Sequence, residues 1–361
     1  MHKVELTKPD GRALILYSRS EIPKNIQAPS PQNESTMPEP HLRWHPLRGQ
    51  WVAYASHRQN RTFLPPKEYN PLAPMSSEKI PTELPQGKYD VAVFENLFPT
   101  FHLKSKLAPK LFVPTAPAQG VCEVVVFTQD TKSSLSKLSL DHINLLVDVW
   151  IDRYQELGKR KEIKYVMPFE NKGIEMGVTL EHPHGQIYAY PFIPPLAEKE
   201  LNLNKKFYDE KGKSILEDML ENEIKDKKRL IYEDAHTLAF VPVCARYPYE
   251  VWMAPRKRLP SLAAMNPQEK TSFSRCLKTV LLKYDKLWDT PFPYLMTFHQ
   301  APTDGIQRAE SHFHLEFYPP YRMKGRLKYL AGTELGADVF ANDSLPEEKA
   351  AELQAVEVSV D

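Results

Sequence analysis

Apolar residues recur along the chain in two patterns, short continuous runs and longer stripes with helical spacing. The apolar run over residues 120–127 predicts a strand, and the stripe that follows predicts a helix over about 139–159. A further strand is predicted over 164–169. The later part of the chain repeats this order, with predicted elements at 249–254 (strand), about 267–288 (helix, with Pro267 in its first turn), 294–298 (strand) and 312–318 (strand).

The two parts of the chain also match in their residues. Tyr165-Val-Met-Pro-Phe169 aligns with Tyr294-Leu-Met-Thr-Phe298 at an offset of 129 residues. His182-Pro-His-Gly-Gln-Ile-Tyr188 aligns with His312-Phe-His-Leu-Glu-Phe-Tyr318 at an offset of 130 residues. A nearly constant offset across separate elements indicates a duplicated unit.

A helix over about 198–228, charged on most faces, is predicted to connect the two copies. Each copy is predicted as antiparallel strands with a helix crossing between them, which is an α+β arrangement. We therefore expect two tandem halves, residues 1–195 and 196–361, with the chemistry in the first half. In the second copy Glu316 stands where the first has Gln186, so we expect the second half to be catalytically silent.

The composition limits the kinds of partner that we expect. The 361 residues carry 47 basic and 46 acidic side chains, a formal net charge of +1, so nothing in the bulk charge favours nucleic acid or a membrane surface. The three cysteines form no CxxC pair, which favours a reducing cytoplasm. The N-terminus shows no signal-type apolar region, and no apolar run approaches about 20 residues, so no membrane span is predicted.

The segment 171–188 carries the strongest chemical pattern. If its last residues form a strand, His182, His184 and Gln186 project from one face, because side chains alternate along a strand. Gly177 and Thr179 could bring N–H groups and a hydroxyl to an anion. A nucleophilic imidazole beside a phosphate cradle predicts phosphoryl or nucleotidyl transfer through a phosphohistidine. The alternative is a metal pair or packed histidines on a strand.

This segment resembles the signature of the galactose-1-phosphate uridylyltransferase family, a branch of the histidine-triad superfamily. Further blocks resemble the family in the same order, together spanning about residues 40–350: 44–52, 56–61, 93–99, 294–300, 312–320 and 328–334. The resemblance implies two histidine-triad-like halves whose sheets join. It also implies a UDP-glucose:hexose-1-phosphate uridylyltransferase, with galactose 1-phosphate as the expected hexose phosphate.

The resemblance places the catalytic histidine at His184. A neutral imidazole is a competent nucleophile near pH 7, and its attack on the α-phosphorus of a nucleotide sugar would form a covalent nucleotidyl-histidine. Histidine-triad hydrolases usually carry a third histidine where this chain has Gln186. An amide has no titratable proton and can only donate to a phosphoryl oxygen, which suits an intermediate that waits for a second sugar phosphate.

The resemblance also assigns substrate contacts. It implies that Arg58 and Arg61 face phosphates and that Phe94 and Asn96 hold the nucleobase and its ribose. Asn171, Gly177 and Thr179 match positions that contact the phosphates, and Lys328, Thr333 and Glu334 match a segment that reaches the sugar phosphate in the partner subunit's site. The last group implies a homodimer with composite sites. From the residues alone, surface arginines, a core Phe94 and a turn residue at Asn171 remain open alternatives. Leu97 stands where the family has an aspartate.

The family's metal sites are only partly matched. Relatives bind zinc through a CxxC pair, a later histidine and the histidine matching His182, but residues 61–76 here contain no cysteine, so we expect no zinc at His182. A second family site maps onto the four residues Glu200, His299, His314 and Glu316. Two imidazoles and two carboxylates suit one zinc or iron ion. His312 could substitute for a ligand, and a buried polar cluster without metal is the alternative.

Two other classes of function remain possible from the sequence. One is a different nucleotidyl transfer on the same scaffold, such as ADP-sugar or dinucleoside-polyphosphate phosphorolysis, since the sequence around Phe94 does not settle the base. The other is a non-catalytic nucleotide-binding protein, against which the presence of His184 and Gln186 argues.

Overall fold

The computed structural model describes residues 1–32, 38–60, 69–77 and 80–360. Within these ranges the strands are β1 (His2–Thr7), β2 (Ala13–Ser18), β3 (His41–His45), β4 (Gln50–Tyr54), β5 (Val91–Glu95), β6 (Thr115–Pro117), β7 (Val121–Val126), β8 (Tyr165–Lys172), β9 (His184–Tyr190), β10 (Leu230–Glu233), β11 (Thr237–Phe240), β12 (Val251–Pro255), β13 (Tyr294–His299), β14 (His314–Tyr318), β15 (Tyr321–Met323) and β16 (Arg326–Leu327). The α-helices are α1 (Leu140–Gly158), α2 (Pro195–Lys211), α3 (Ile215–Asp226), α4 (Pro267–Leu287) and α5 (Pro346–Gln354).

One large antiparallel sheet runs through both halves of the chain. Its eleven strands have the order β1-β2-β5-β7-β9-β8-β13-β14-β12-β11-β10. The central pair, β8 and β13, joins the halves, with Leu295 opposite Asn171 and Thr297 opposite Phe169. On each side of this pair the strands follow in matching order, β9 then β7 and β14 then β12. The prediction of an α+β fold with two halves whose sheets join is confirmed, whereas the proposed division at residue 195 stays a prediction.

The two long helices cover one face of this sheet. Helices α1 and α4 pack against each other and bury the larger hydrophobic core, which contains residues from both halves. Trp150 of α1 contacts the first half through Phe127 and the second through Phe298, with ring centroids 6.1 Å and 5.0 Å away. Burial of large aromatic rings contributes strongly to such a core. These two helices leave the opposite face of the sheet uncovered.

The ends of the predicted helices follow from local capping. The Ser139 side chain accepts a hydrogen bond from the N–H of His142 at the start of α1. Asn266 and Glu269 form a capping box at the start of α4, where Pro267 occupies the first turn as predicted. These side chains satisfy N–H groups that have no partner inside the helix.

The single connector helix predicted over 198–228 is wrong. The structure has α2 and α3 there, separated at Gly212, whose φ is 72°. A glycine in this left-handed conformation ends a helix without a side-chain clash. Ser214 and Glu217 then form a capping box that starts α3. No helix in the described parts of the chain is long and apolar enough to cross a membrane.

The structure also corrects the strand that was predicted through both histidines. Strand β9 begins at His184, and its counterpart β14 begins at His314. His182 and His312 precede these strands, so the alternation of side chains does not extend to them. The prediction that His182 shares a strand face with His184 and Gln186 assumed a strand that includes His182, and this assumption is wrong.

An N-terminal hairpin that the sequence analysis did not anticipate extends the edge of the sheet. Strands β1 and β2 pair from His2 opposite Ser18 to Thr7 opposite Ala13, and β2 then pairs with β5. The chain reverses at a Pro-Asp-Gly turn, in which Gly11 has a φ of 85°. Such a turn between apolar segments is a recognisable hairpin signal.

A buried carboxyl group lies beside the junction of the two halves. Glu170 of β8 is almost fully buried and accepts a hydrogen bond of 2.9 Å from the hydroxyl of Tyr294 on β13. Burial raises the pKa of Glu170 to about 7, although nearby Lys172 opposes this shift. The folded protein therefore favours the protonated form of Glu170 at mildly acidic pH.

This shift predicts a pH-dependent stability. Between the unfolded pKa of about 4.3 and the folded pKa, the folded state holds a proton that the unfolded state has lost, so stability falls as pH rises through this window. Glu170→Gln imitates the protonated group and should raise the thermal midpoint by a few degrees at pH 8, with no gain near pH 4.5. Calorimetry at several pH values measures this difference. Parallel curves for variant and wild type would contradict the prediction.

Candidate active site

The site is built on the face of the sheet that α1 and α4 leave uncovered. Strand register determines which side chains share this face, because residues directly opposite each other point the same way. Gln186 of β9 lies opposite Val124 of β7, and His184 lies opposite Val126. Phe94 of β5 lies opposite Val124. Residues predicted to bind nucleotide and to react with it therefore stand on one surface.

His184 is oriented by the backbone beside it. Its Nδ1 lies 2.7 Å from the carbonyl oxygen of His182, and a carbonyl can only accept, so Nδ1 carries the proton. In the neutral ring this leaves the lone pair on Nε2. The imidazole is half-buried at the first position of β9. This tautomer is the one that a nucleophile acting through Nε2 requires.

Gly185, between the two predicted catalytic residues, lets β9 pack closely against Phe127 and Phe169. A Cβ at this position would lie 2.8 Å from the Phe127 ring and 2.9 Å from the carbonyl oxygen of Phe169. Gln186, the next residue, is half-buried and pairs with Phe169 across β8. The glycine thus permits tight packing behind a strand whose front carries His184 and Gln186.

His182 holds the backbone beside His184 in place through hydrogen bonds of its buried ring. Its Nε2 donates to the carbonyl oxygen of Thr128 at 2.7 Å, and Nδ1 lies 3.3 Å from the amide nitrogen of Asn70. Burial lowers the pKa of His182, which favours the neutral ring. Both ring nitrogens are thus engaged within the chain. The absence of zinc at His182 stays a prediction.

The glycine-containing loop lies at the same end of the sheet as His184, since it connects the end of β8 to the start of β9. Asn171 follows Phe169 by two residues and so shares its face. Gly177 has a φ of 75° and ends a short 3-10 turn, Ile174–Met176, while Thr179 is half-buried. The three predicted phosphate contacts therefore lie at the end of the sheet where β9 begins with His184.

Arg58 reaches this face from a 3-10 turn, Ser56–Asn60. Its Nη1 donates to the carbonyl oxygen of Phe98 at 2.7 Å, and its guanidinium also contacts the hydroxyl of Tyr188. Tyr188 was not among the predicted site residues, although it continues the alternation that begins at His184 and Gln186. The second predicted arginine, Arg61, lies outside the described residues.

The two residues predicted to hold the nucleoside are packed more firmly than expected. Phe94 is buried between Leu14 and Val124, with the Lys8 ammonium 4.7 Å from its ring centroid. The amide oxygen of Asn96 accepts a hydrogen bond from the N–H of Phe98 at 2.9 Å. Phe94 is thus a core residue, Asn96 shapes the turn that follows β5, and their contacts with a nucleoside stay a prediction.

The third predicted group stands apart from these contacts. Lys328 forms an ion pair with Glu334 at 3.4 Å, and the hydroxyl of Thr333 donates to the carbonyl oxygen of Val339 at 3.2 Å. A hydrogen bond from the N–H of Ala331 is the leading cause that lowers the pKa of Glu334 to about 2. These hydrogen bonds hold the segment 328–341 together and do not join it to β9.

The four predicted metal ligands converge on the same face, in the second half. One ligand atom from each of Glu200, His299, His314 and Glu316 lies within 4.8 Å of the others. Helix α2 supplies Glu200, whose Oε2 lies 3.0 Å from Nδ1 of His299. On β14, Nε2 of His314 lies 3.0 Å from Oε1 of Glu316. The two imidazole rings are stacked with centroids 4.7 Å apart.

The electrostatics of this cluster fit a cation. Burial alone would lower the pKa of His299, but Glu316 and Glu200 outweigh it and raise the pKa to about 9. Nε2 of His299 is buried without a hydrogen-bond partner among the described residues and lies 3.6 Å from Glu316. A buried nitrogen facing a carboxylate, with two further ligand atoms nearby, is a donor set that zinc or iron accepts.

His312 does not belong to this cluster, contrary to the suggestion that it could replace a ligand. It precedes β14, and its Nε2 donates to the carbonyl oxygen of Pro255 at 2.8 Å. Nδ1 of His314 in turn lies 3.3 Å from the carbonyl oxygen of His312. The arrangement repeats that of His182 and His184, so the duplication includes the hydrogen bonds around each histidine pair.

Comparisons with known proteins agree with this geometry. Residues 31–194 match the family described as galactose-1-phosphate uridyl transferase, N-terminal domain, and residues 200–360 match its C-terminal domain. The chain is 40% identical over 325 residues to a galactose-1-phosphate uridylyltransferase of Thermotoga maritima, which covers 88% of this chain and 99% of that protein. A counterpart from Streptomyces lividans is 33% identical over 364 residues, covering 98% and 97%. A solved uridylyltransferase structure superimposes with a TM-score of 0.77 at 31% identity, covering 87% of this chain and 97% of that chain.

Proposed function

The chain belongs to the galactose-1-phosphate uridylyltransferase family and is a nucleotidyltransferase, and from this premise we propose that it exchanges UDP-glucose and galactose 1-phosphate through a uridylyl group on His184. The observation that carries the proposal is the 2.7 Å hydrogen bond from Nδ1 of His184 to the carbonyl oxygen of His182. It leaves Nε2 as the nucleophilic nitrogen. Gln186 stands two residues further along the same strand face.

The first half-reaction breaks the bond between the α-phosphorus and the bridging oxygen. Nε2 of His184 attacks the α-phosphorus of UDP-glucose, and glucose 1-phosphate leaves with the bridging oxygen. The ring then carries a positive charge, which the carbonyl oxygen of His182 stabilises because it accepts the Nδ1 proton in a hydrogen bond. The amide of Gln186 donates to a non-bridging phosphoryl oxygen as charge develops there.

The second half-reaction reverses the roles of nucleophile and leaving group. A phosphate oxygen of galactose 1-phosphate attacks the same phosphorus, the nitrogen–phosphorus bond breaks, and His184 returns to its neutral state. Gln186 has no proton that titrates, so it does not readily activate water in the interval. The intermediate therefore persists until a sugar phosphate arrives, which separates a transferase from a hydrolase.

We expect His184→Asn to abolish a covalent uridylyl adduct while leaving the fold intact. Wild-type protein incubated with UDP-glucose alone should show this adduct by intact mass spectrometry, and galactose 1-phosphate should remove it. ADP-glucose serves as the parallel substrate, since the sequence leaves the base undecided. An adduct from ADP-glucose alone would point to the ADP-sugar alternative, and uridylyl exchange by His184→Asn would exclude the double displacement.

Gln186→Ala is the matched variant in the same experiment. Loss of one preorganised donor should slow adduct formation by about 10²–10³-fold while the nucleophile is retained. Adduct formation at the wild-type rate would show that the amide does not point at the phosphorus.

We further propose one zinc or iron ion on Glu200, His299, His314 and Glu316. Bound there, the ion would supply coordinate bonds between helix α2 and the second half of the sheet. The chain's own residues already bring these elements together, as the 3.0 Å contact between Glu200 and His299 indicates. The chemistry at His184 requires no contribution from this site.

Elemental analysis should therefore find no more than one transition metal per chain. Chelation should lower the thermal midpoint but should largely spare the turnover of molecules that remain folded, because the ion stabilises only the second half. His299→Ala is the control that should remove the metal without removing the adduct on His184. Two metals per chain, or metal on His182 in a crystal, would contradict this proposal. Finding none would leave a hydrogen-bonded polar cluster.

We propose a homodimer in which each active site is completed by Lys328, Thr333 and Glu334 of the other subunit. The support is twofold. The hydrogen bonds of these side chains stay within the segment 328–341. The same segment exposes large apolar side chains, with Tyr329 75% and Leu335 65% exposed. Exposed apolar groups of this kind commonly mark an interface.

Composite sites predict complementation between two inactive variants. Chains carrying His184→Asn and chains carrying Lys328→Met should each be inactive as homodimers. A mixed dimer has one site with both defects and one with neither, so an equal mixture after subunit exchange should recover about a quarter of the activity. Light scattering checks the dimer itself. No recovery despite confirmed mixed dimers would show that each chain completes its own site.

A further inference from the structure

The N-terminal hairpin contacts the candidate nucleotide site, although it lies before the residues that match the family's N-terminal domain, 31–194. We propose that Arg12, held by a buried ion cluster, is a positioning residue for the loop 95–99, which presents Asn96 to the nucleoside. This inference rests on the proposed function. We call Lys8, Asp10, Arg12 and Glu83 the hairpin cluster.

Arg12 fixes the start of this loop directly. It immediately precedes β2, and its Nη1 donates to the backbone carbonyl of Glu95 at 2.8 Å. The N–H of Ala13 donates to the Glu95 carboxylate at 2.9 Å. Glu95 is the last residue of β5, and Asn96 follows it. The hairpin thus holds both the backbone and the side chain of the residue before Asn96.

The far end of the same loop is held from the catalytic side. Arg58 donates to the carbonyl oxygen of Phe98, and Nε2 of His57 donates to the carbonyl oxygen of Pro99 at 2.9 Å. The N–H of Asn96 donates to the carbonyl oxygen of Cys122 at 2.8 Å. Arg12 is therefore the hairpin's contribution to a loop that Arg58 braces from the phosphate side. Without Arg12, the Glu95 end of the loop keeps the bond from the N–H of Ala13 to the Glu95 carboxylate but loses the bond to the Glu95 carbonyl oxygen.

The hairpin cluster holds Arg12 rigidly in turn. The Arg12 guanidinium bonds to Asp10 at 2.8 Å through Nε and to Glu83 at 2.9 Å through Nη2. The Lys8 ammonium, fully buried, also pairs with Glu83 and lies over the Phe94 ring. Two cations and two carboxylates leave the cluster without net charge, which is the condition under which buried ions are tolerated.

A buried cluster of this kind is costly for an element that only lengthens a sheet edge. Apolar residues of similar volume could hold a hairpin at least as well. What apolar residues cannot do is donate to the carbonyl of Glu95 from a fixed guanidinium fork. The expected result of that contact is a preorganised nucleoside loop, so that capture of the free nucleotide sugar costs less ordering.

Measuring kcat/KM for each substrate distinguishes a positioning role of Arg12 from a general loss of stability, because each substrate enters a different half-reaction. Capture of UDP-glucose requires the loop to order around a free nucleoside. In the second half-reaction the uridylyl group is already tethered through phosphorus to His184. A positioning defect at Arg12 should therefore lower kcat/KM for UDP-glucose and spare kcat/KM for galactose 1-phosphate.

The test compares Arg12→Lys, which keeps the charge but loses the fork, with Lys3→Met as the matched control. Lys3 is also on the hairpin, but it pairs with Asp152 of α1 at 3.0 Å and does not reach the loop. Arg12→Lys should lower kcat/KM for UDP-glucose about 10-fold and change that for galactose 1-phosphate less than about two-fold. Lys3→Met should change neither, and thermal midpoints are measured for all variants.

A second variant covers the case in which Arg12→Lys does not fold. Asp10→Asn is close in volume and weakens the bonds from the Arg12 guanidinium and from the Ser30 hydroxyl to this side chain, so it should give the same selective loss in smaller degree. Equal losses for both substrates, or no loss in folded variants, would overturn the positioning role. Wild-type protein without any uridylyl exchange would instead overturn the proposed function itself.

Discussion

The antiparallel pairing of β8 with β13 is the constraint on which the rest of the structure depends. It joins the two halves edge to edge into one sheet, so the strands of both halves share the same two faces. Helices α1 and α4 can then bury one continuous core, while His184, Gln186, His299, His314 and Glu316 fall on the other face. Because side chains alternate strictly along strands, a shift of one residue in this register would exchange the faces of one half relative to the other.

The duplicated scaffold gives two sites of different chemistry. In each half a histidine before the strand donates to a backbone carbonyl, and its own carbonyl accepts from the first histidine of the strand. The difference arises two residues later. The first half has the neutral amide of Gln186 at this position, next to the histidine that we propose as the nucleophile. The carboxylate of Glu316 instead engages His314 and lies near His299, which gives a cluster suited to a cation.

Two sets of buried ionisable side chains in this protein lie where one segment of backbone is held against another. The hairpin cluster lies against the strand that leads to Asn96, and Glu170 lies at the junction of the halves. In both places a hydrogen bond crosses between segments that are distant in the chain. Such groups add specificity of geometry more than they add net stability, because removing ions from water offsets much of their attraction.

From the sequence alone came the duplication, the long helices α1 and α4 with the strands beside them, and the placing of His184 and Gln186 two residues apart on one strand, because periodicity and capping are local properties. The sequence also named Glu200, His299, His314 and Glu316 through resemblance. It did not show that β9 starts only at His184, that Gly212 divides the connector into two helices, or that Phe94 is buried against Lys8. Gly212 and the capping box of Ser214 and Glu217 are local signals, which the sequence analysis did not use. The start of β9 and the burial of Phe94 depend instead on strand register and on packing between residues such as Lys8 and Glu83, which lie 75 positions apart. Only the folded chain brings such residues together, since their contact is decided by the sheet as a whole.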